Sequence, residues 1–405
     1  MKNEAILNEC PDIAATMVTR AAALEPMLRQ RVPATQIERR LSADTMRDIR
    51  EAGLMRASVP EAFGGVELPP SYYWRVSAAL AKGCPATAWV YNVFSVHNQV
   101  ASLFPEKGQA EIFGADPDVG VCGVLTERST AREVEGGVML RRGLWPFASG
   151  CHHSGWAILG ASVEGRPKPL DMAFLAVPMD ELEIVDDWYV SGLRGTGSNS
   201  VRPMQDELFV PSHRVIDAGL ALAHKHGDSR PRRMRLPFAP AASLMLGAGV
   251  GIGTAETALE YYQDFVVERS KRALSYSNAA VKKKNLPSTR RAIAEATARI
   301  AAARGLADQV ADTLWEIAGD PSFIPDNKIR SRMRLLTVHL MHECKNTVAM
   351  LFQETGASAL QENNRIGRLL RDAQGMVMHE SFDLGQIQDV FGRVALGDAT
   401  DHWAI

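Results

Sequence analysis

The hydrophobic period of this chain changes twice, and that double change limits its fold more than any single motif. From about residue 13 to 113, apolar side chains recur at helical spacing. Between about 119 and 215 the apolar runs become short, at 119–125, 138–140, 156–163, 172–177, 182–185 and 208–210. Gly, Pro and Asp punctuate them, the mark of strands in a small sandwich or barrel. After a Pro/Arg-rich link at 229–237, helical periodicity returns in four long segments, near 240–268, 289–318, 326–355 and 367–380, with a short helix near 384–396. Long amphipathic helices joined by short loops predict a bundle. The expected fold is α+β and mostly α. An N-terminal helical domain covers 1–118, a central β domain 119–225 and a C-terminal four-helix bundle 226–405. A chain of 405 residues also exceeds what one simple core fills.

Local cues sharpen the helical parts. Ser42 is placed to cap a helix that ends at Gly53, and Val59-Pro60-Glu61-Ala62-Phe63-Gly64-Gly65 reads as a turn-rich connector. Helices are expected over 72–81 and 86–104, the second opening just after Pro85. In that second helix Trp89 and His97 stand eight residues apart, within about 80° of each other. A histidine on such an apolar face is either a satisfied core residue or a polar contact in a pocket. The glycines at 247, 249, 251 and 253 follow no strand and have no acidic residue at the dinucleotide offset, so close helix approach explains them better. His339-Leu340-Met341-His342-Glu343 lacks the residue order of a zinc-protease helix, and no metal is expected.

Two glycine-rich stretches carry most of the chemistry. Glu135-Gly136-Gly137 is a turn, and Phe147-Ala148-Ser149-Gly150 is flanked by short apolar runs. Trp145, Phe147 and Trp156 surround Ser149 and two imidazoles. The stretch is either a hairpin with ordinary core aromatics or the wall of a pocket for a flat ring. The segment from Trp188 to Ser198 is dense in glycine and hydroxyls. It is either a tight turn or a donor of backbone N–H groups to an anion or a ring edge.

Composition excludes several classes. A formal charge of −2 gives no field to attract nucleic acid or an acidic membrane, and 46% hydrophobic with 23% charged residues is ordinary for a globular protein. The basic residues are scattered apart from the lysines at 282–284. Five widely spaced cysteines without a Cys-x-x-Cys pair argue against a disulfide framework or a zinc site and for a reducing cytoplasm. No secretory signal and no stretch of about 18 uninterrupted apolar residues is present, so no membrane span is expected.

In order and spacing these elements resemble the acyl-CoA dehydrogenase fold superfamily. Within it they are most similar to the oxygenase components of two-component flavin-dependent monooxygenases, which act on hydroxyphenylacetate, secosteroid phenols, indoles and dibenzothiophene. The connector 59–65, Thr87-Ala88-Trp89-Val90 leading to His97, Trp145-Pro146-Phe147-Ala148-Ser149-Gly150 and Gly192-Leu193-Arg194-Gly195-Thr196-Gly197-Ser198 carry the likeness. So do Phe209-Val210-Pro211 and Arg371-Asp372-Ala373 with His379 eight residues after Arg371.

The resemblance implies diffusible reduced FMN or FAD, O2 and a C4a-hydroperoxyflavin that hydroxylates a phenolic, indolic or polycyclic substrate. Ser149 would hydrogen-bond flavin N5–H, His379 would polarise the oxidant or deprotonate the substrate, and His97 would hold a polar substituent beside Trp89 and Glu380. Thr126, Trp145, Phe147, Arg194, Thr196 and Ser198 match positions that line flavin, while Arg269 and Lys271 match those near its phosphate. Trp145, Phe147 and Trp156 would exclude water. With no nicotinamide site visible, a separate NAD(P)H-dependent flavin reductase is the expected partner, and a homotetramer is implied. Dehydrogenases of one branch place a carboxylate nine residues after the Arg of Arg-Asp-Ala and continue with Gly-Thr. Here that position is Glu380, followed by Ser381-Phe382 and preceded by His379, which favours the oxygenase. A thioester-oxidising flavoprotein and a nitroalkane or amine oxidase are the alternatives.

Overall fold

A computed structural model describes residues 11–167, 171–219, 236, 238–272, 282–320 and 322–398, with the side chains of 11–12 and 269–272 left out. Helices come first: α1 (Pro11–Ala23), α2 (Glu25–Glu38), α3 (Ala43–Glu51), α4 (Pro70–Gly83), α5 (Pro85–Ala101) and α6 (Glu106–Phe113). Ser42 does cap α3, its Oγ accepting from the Thr45 N–H at 3.1 Å. Pro70 and Pro85 open α4 and α5, where a missing N–H costs nothing.

Helix α5 positions the site. Every residue in it except Gln99 is buried. A helix apolar all round must be covered on all sides, and here the sheet lies on one flank and the C-terminal helices on another.

Strands β1 (Val121–Val134), β2 (Gly137–Arg141), β3 (Trp156–Val163), β4 (Met172–Pro178), β5 (Leu182–Val185), β6 (Ser200–Pro203), β7 (Glu207–Pro211) and β8 (Val215–Asp217) follow. They form a six-stranded sheet in the order β7-β2-β1-β3-β4-β8 and a ribbon of β5 and β6. β1 and β3 are parallel; the other pairs are antiparallel. Gly136 makes the β1–β2 turn with φ +81°. The structure corrects the sequence reading in three places. β1 runs on to Val134, and β6 and β8, short and partly polar, present no apolar run to read. Phe147–Gly150 is also no hairpin tip: Trp145 bridges to Val201, and the chain then enters a 3-10 turn at Cys151–His153.

The C-terminal part comprises α7 (Phe238–Ser243), one π-helical turn (Leu244–Ala248), α8 (Gly249–Arg272), α9 (Pro287–Gly319), α10 (Asn327–Thr355), α11 (Arg365–Val377) and α12 (Leu384–Leu396). The glycine run serves packing. A Cβ on Gly249 would fall 2.2 Å from the Trp74 carbonyl oxygen, and one on Gly253 would fall 2.3 Å from that of Ala78. The helical run Phe238–Glu268 is long and apolar enough to cross a membrane, but 89% of its apolar window is buried inside the protein. Cys84, Cys122, Cys151 and Cys344 are buried and unpaired, and Cys10 lies outside the described residues.

Candidate functional site

Four polar side chains form one directional chain. Thr196 Oγ1 donates to the Leu193 carbonyl at 2.9 Å and lies 2.6 Å from Ser198 Oγ, which lies 2.7 Å from Ser149 Oγ. The indole Nε1–H of Trp89, on α5, donates to Ser149 Oγ at 3.3 Å. A hydroxyl carries one proton and an indole N–H only donates. Thr196 spends its proton on Leu193, so Ser198 donates to Thr196 and Ser149 donates to Ser198. Ser149 is left with one free lone pair and no free proton. It is an acceptor toward anything beside it.

Loop geometry imposes this arrangement. Leu193 and Gly197 both take left-handed φ, +52° and +55°, around the 3-10 turn Arg194–Thr196. The Ser149 loop is laced to it by Ala148 N–H to Asn199 O (3.1 Å) and Gly150 N–H to Thr196 O (2.9 Å).

On the other side of Trp89 lies His379, its ring centroid 5.6 Å from the indole, with Phe382 6.0 Å further round. His379 is not on a helix, because α11 ends at Val377; it caps the 3-10 turn Glu380–Phe382. Its Nδ1 accepts the Ser381 N–H at 3.1 Å, so the neutral ring carries its proton on Nε2. Surrounding protein atoms, then the charge of Arg334, lower its pKa to about 4. The residue keeps open surface, so water solvates part of an imidazolium and moderates that fall; the direction leaves a neutral ring at pH 7.

His97 is the complement. It is 7% exposed, and its Nδ1 donates to the Val93 carbonyl at 2.9 Å, leaving Nε2 as a bare lone pair. Burial lowers its pKa to about 4, with Val93 opposing and His379 assisting. At neutral pH one imidazole presents a donor and the other an acceptor.

The other residues singled out in the sequence divide into several groups. Trp145 is a correction. It has no exposed surface and gives its N–H to the Gly160 carbonyl at 2.9 Å, so it is core and offers a ligand nothing to touch. Trp156 is another: it packs in the second apolar cluster under the Arg214 guanidinium, 4.9 Å from its ring. Phe147 is 66% exposed, with φ +64° and an edge-on contact to Trp188 at 6.0 Å. A left-handed phenylalanine stores about 1–3 kcal/mol of strain, and it stands at a rim rather than in a wall. Thr126 is half-buried in β1 where the register with β3 slips. Arg194 is half-buried, its Nε without an acceptor. Glu380 and His379 both keep exposed surface, but His379 is the one with a ring contact to Trp89, so the geometry favours imidazole over carboxylate. Arg269 and Lys271 lie at the end of α8, outside the described side chains.

Two further residues enter the sequence reading only as members of a motif, Asp372 in Arg371-Asp372-Ala373 and His342 in the stretch rejected as a metal site, with no role assigned to either. Asp372, 2% exposed, accepts the Leu193 N–H at 2.7 Å and so ties α11 to the turn carrying Thr196; burial raises its pKa to about 6. Its position between Leu369 and Met376 on the buried face of α11 is the available cue. His342 Nε2 donates to the Phe382 carbonyl at 3.0 Å and pins the turn that bears His379.

The acyl-CoA dehydrogenase N-terminal domain pattern matches residues 15–111 and the C-terminal domain pattern residues 245–384. The oxygenase subunit HsaA of a flavin-dependent monooxygenase from Rhodococcus jostii (strain RHA1) is 30% identical over 384 residues, 93% of this chain and 97% of the relative. The chain belongs to the oxygenase components of two-component flavin-dependent monooxygenases. Another relative is the oxygenase component of an FADH(2)-dependent resorcinol hydroxylase from Rhizobium sp. (strain MTP-10005), 30% identical over 94% of each chain. The solved structure of XiaF from Streptomyces sp., in complex with FADH2 and glycerol, superposes with a TM-score of 0.89 at 26% identity over 98% of this chain and 99% of that one. In this oxygenase component the N-terminal helices, the sheet domain and the bundle meet around α5, framed by the Ser149 and Thr196 loops on one side and the His379 turn on the other.

Proposed function

We propose that this oxygenase component takes reduced FMN or FAD generated elsewhere and, with O2, hydroxylates a phenolic, indolic or polycyclic ring. The observation that carries the reading is the committed proton of Ser149. Reduced flavin has an N–H at N5, whereas oxidised flavin has a bare nitrogen there, which would face a lone pair. The unfilled acceptor of Ser149 and the orphaned Nε of Arg194 on the adjoining turn both suit a flavin, the latter through a carbonyl or phosphate oxygen. Bound reduced flavin supplies the two electrons that activate O2 for insertion into an aromatic C–H bond.

The chain's own residues do the rest. Ser149 holds the proton at N5 in place. His379 donates from Nε2–H toward the reacting oxygen, and His97 accepts a substrate O–H or N–H at Nε2. Trp89 and Phe382 cover part of that space with apolar rings. Thr126 and Phe147 would line the isoalloxazine, and Arg269 and Lys271, whose side chains lie outside the described residues, are the candidates for its phosphate. An NAD(P)H-dependent reductase supplies the flavin. Four buried unpaired thiols suit a cytoplasmic setting. Exposed apolar residues at Ile324, Leu360 and Leu396 suit burial in a homotetramer.

The test is to mix anaerobic protein and chemically reduced FMN or FAD with aerated buffer and a set of phenols and indoles. Hydroxylated product without any reductase in the cuvette supports the reading. Bleaching of a tightly held oxidised FAD by an acyl-CoA, with no hydroxylation, overturns it.

A further inference from the structure

Gly249 and Gly253 let α8 approach carbonyls of α4, but Gly247, in the same run, serves a different neighbour. It lies in the π-helical turn, which is buried throughout. A Cβ there would fall 2.5 Å from Cζ and 2.7 Å from Cε1 of Phe382, so the end of that ring rests on bare backbone. Phe382 has no exposed surface, and its carbonyl is held by His342 Nε2–H at 3.0 Å. The ring also faces those of Trp89, 6.4 Å away, and His379, 6.0 Å away, so it has no open direction in which to retreat. Within the 3-10 turn the Phe382 N–H donates to the His379 carbonyl at 2.8 Å. Whatever moves Phe382 therefore moves His379.

The π-helical turn is itself fixed from α5. Asn92, one turn after Trp89, donates from Nδ2 to the Leu246 carbonyl at 2.7 Å, while its own Oδ1 is buried with no donor among the described residues. A buried amide left half-satisfied is costly, so stability alone does not account for this bond. A π-bulge inserts a residue into a helix and so aims backbone where a regular turn would not. Helix α5 thus reaches His379 by two routes. The Trp89 indole touches the imidazole directly, and the Asn92 amide acts on it through Leu246, Gly247 and Phe382. We propose that Asn92 and Gly247 are positioning residues for His379: through the Phe382 ring they fix where its Nε2–H stands over Trp89. This rests on the donor role given to His379 above.

One arm of the experiment uses the whole protein without flavin and follows carbethoxylation of His379 by diethyl pyrocarbonate, with His213 in the sheet domain as the internal reference. In Gly247→Ala the displaced Phe382 ring should loosen the turn, and His379 should react about fivefold faster than in wild type. Gly247→Ala/Phe382→Leu, with a shorter side chain on the new Cβ, should react more slowly than Gly247→Ala. The second arm measures hydroxylated product per reduced FMN consumed, from the phenol or indole that reacts best with wild type. Gly247→Ala and Asn92→Leu should each lower that yield by about 10-fold or more, with reduced-FMN affinity unchanged, because the Ser149 and Thr196 loops belong to the sheet domain. In a His379→Ala background the same substitutions should cost no further yield, since their effect runs through the imidazole. Wild-type reactivity of His379 in a folded Gly247→Ala, or equal losses of yield with and without His379, would overturn the proposal. Should Gly247→Ala not fold, Asn92→Leu is held to the same two outcomes. Full yield from His379→Ala would overturn the proposal together with the donor role. No product from wild type with any compound would instead fail the monooxygenase reading, and the reactivity of His379 would still decide the positioning.

Discussion

The indole N–H of Trp89 donates to Ser149 Oγ at 3.3 Å, and the same indole lies against the His379 ring, 5.6 Å between centroids. One side chain on a buried helix thus fixes the spacing of a hydroxyl from the sheet domain and an imidazole from the bundle. Rigid placement of this kind, set by secondary-structure packing, is what a reaction that must keep out water needs.

Replacing Ser149 by Ala removes the acceptor proposed for flavin N5. One hydrogen bond is worth about 1–3 kcal/mol here, roughly 5- to 150-fold in rate. The expected outcome is a fall in hydroxylated product with a matching rise in hydrogen peroxide, read as peroxide released per reduced flavin consumed.

Trp89→Phe keeps a ring beside His379 but deletes the N–H. The cost in stability should be small, about 0.5–1.5 kcal/mol, and peroxide leakage should rise less than in Ser149→Ala. Trp89→Ala opens a cavity in α5 and should cost about 3–5 kcal/mol by denaturant unfolding.

Acid should destabilise the fold through His97. Its folded pKa is about 4, below the unfolded value near 6.5, so between those values the unfolded chain binds more protons. The His97 contribution to stability then rises with pH across that window and is level above it, with a slope of up to about 1.4 kcal/mol per pH unit. His97→Gln should flatten the dependence of Tm on pH between 4 and 6.5. An unchanged slope would mean His97 is already protonated in the fold.

Asp372→Ala leaves the buried Leu193 N–H without a partner, at about 1–3 kcal/mol. It should also loosen the Thr196 turn and weaken flavin binding. Asp372→Asn keeps an acceptor and should restore most of both, as measured by thermal melting and by flavin titration.

The architecture is legible in the sequence because long periodic segments bury one continuous face. The starts of α3 and α12 are legible too, where Ser42 and Asp383 cap with their side chains. Short polar strands such as β6 carry no such signal. Ser149 and His379 stand out by motif, but their partnership runs through Trp89, sixty residues from Ser149 in sequence. Trp145 and Trp156 look like pocket walls by residue type, yet one fills the core and the other lies under Arg214, since composition cannot tell which face of a strand a ring takes. The tautomers of His97 and His379 depend on Val93 and Ser381 backbone groups, which no spacing reveals.

The central claim is that a chain of hydroxyls makes Ser149 an obligatory acceptor toward flavin. The most direct measurement is the ratio of dissociation constants for reduced and oxidised flavin, by anaerobic titration of wild type and Ser198→Ala. The account predicts tighter binding of the reduced form in wild type and a smaller preference in Ser198→Ala, where the Ser149 proton is released to face a bare N5. Equal affinity for both redox states in wild type, or a preference that Ser198→Ala leaves intact, would contradict it.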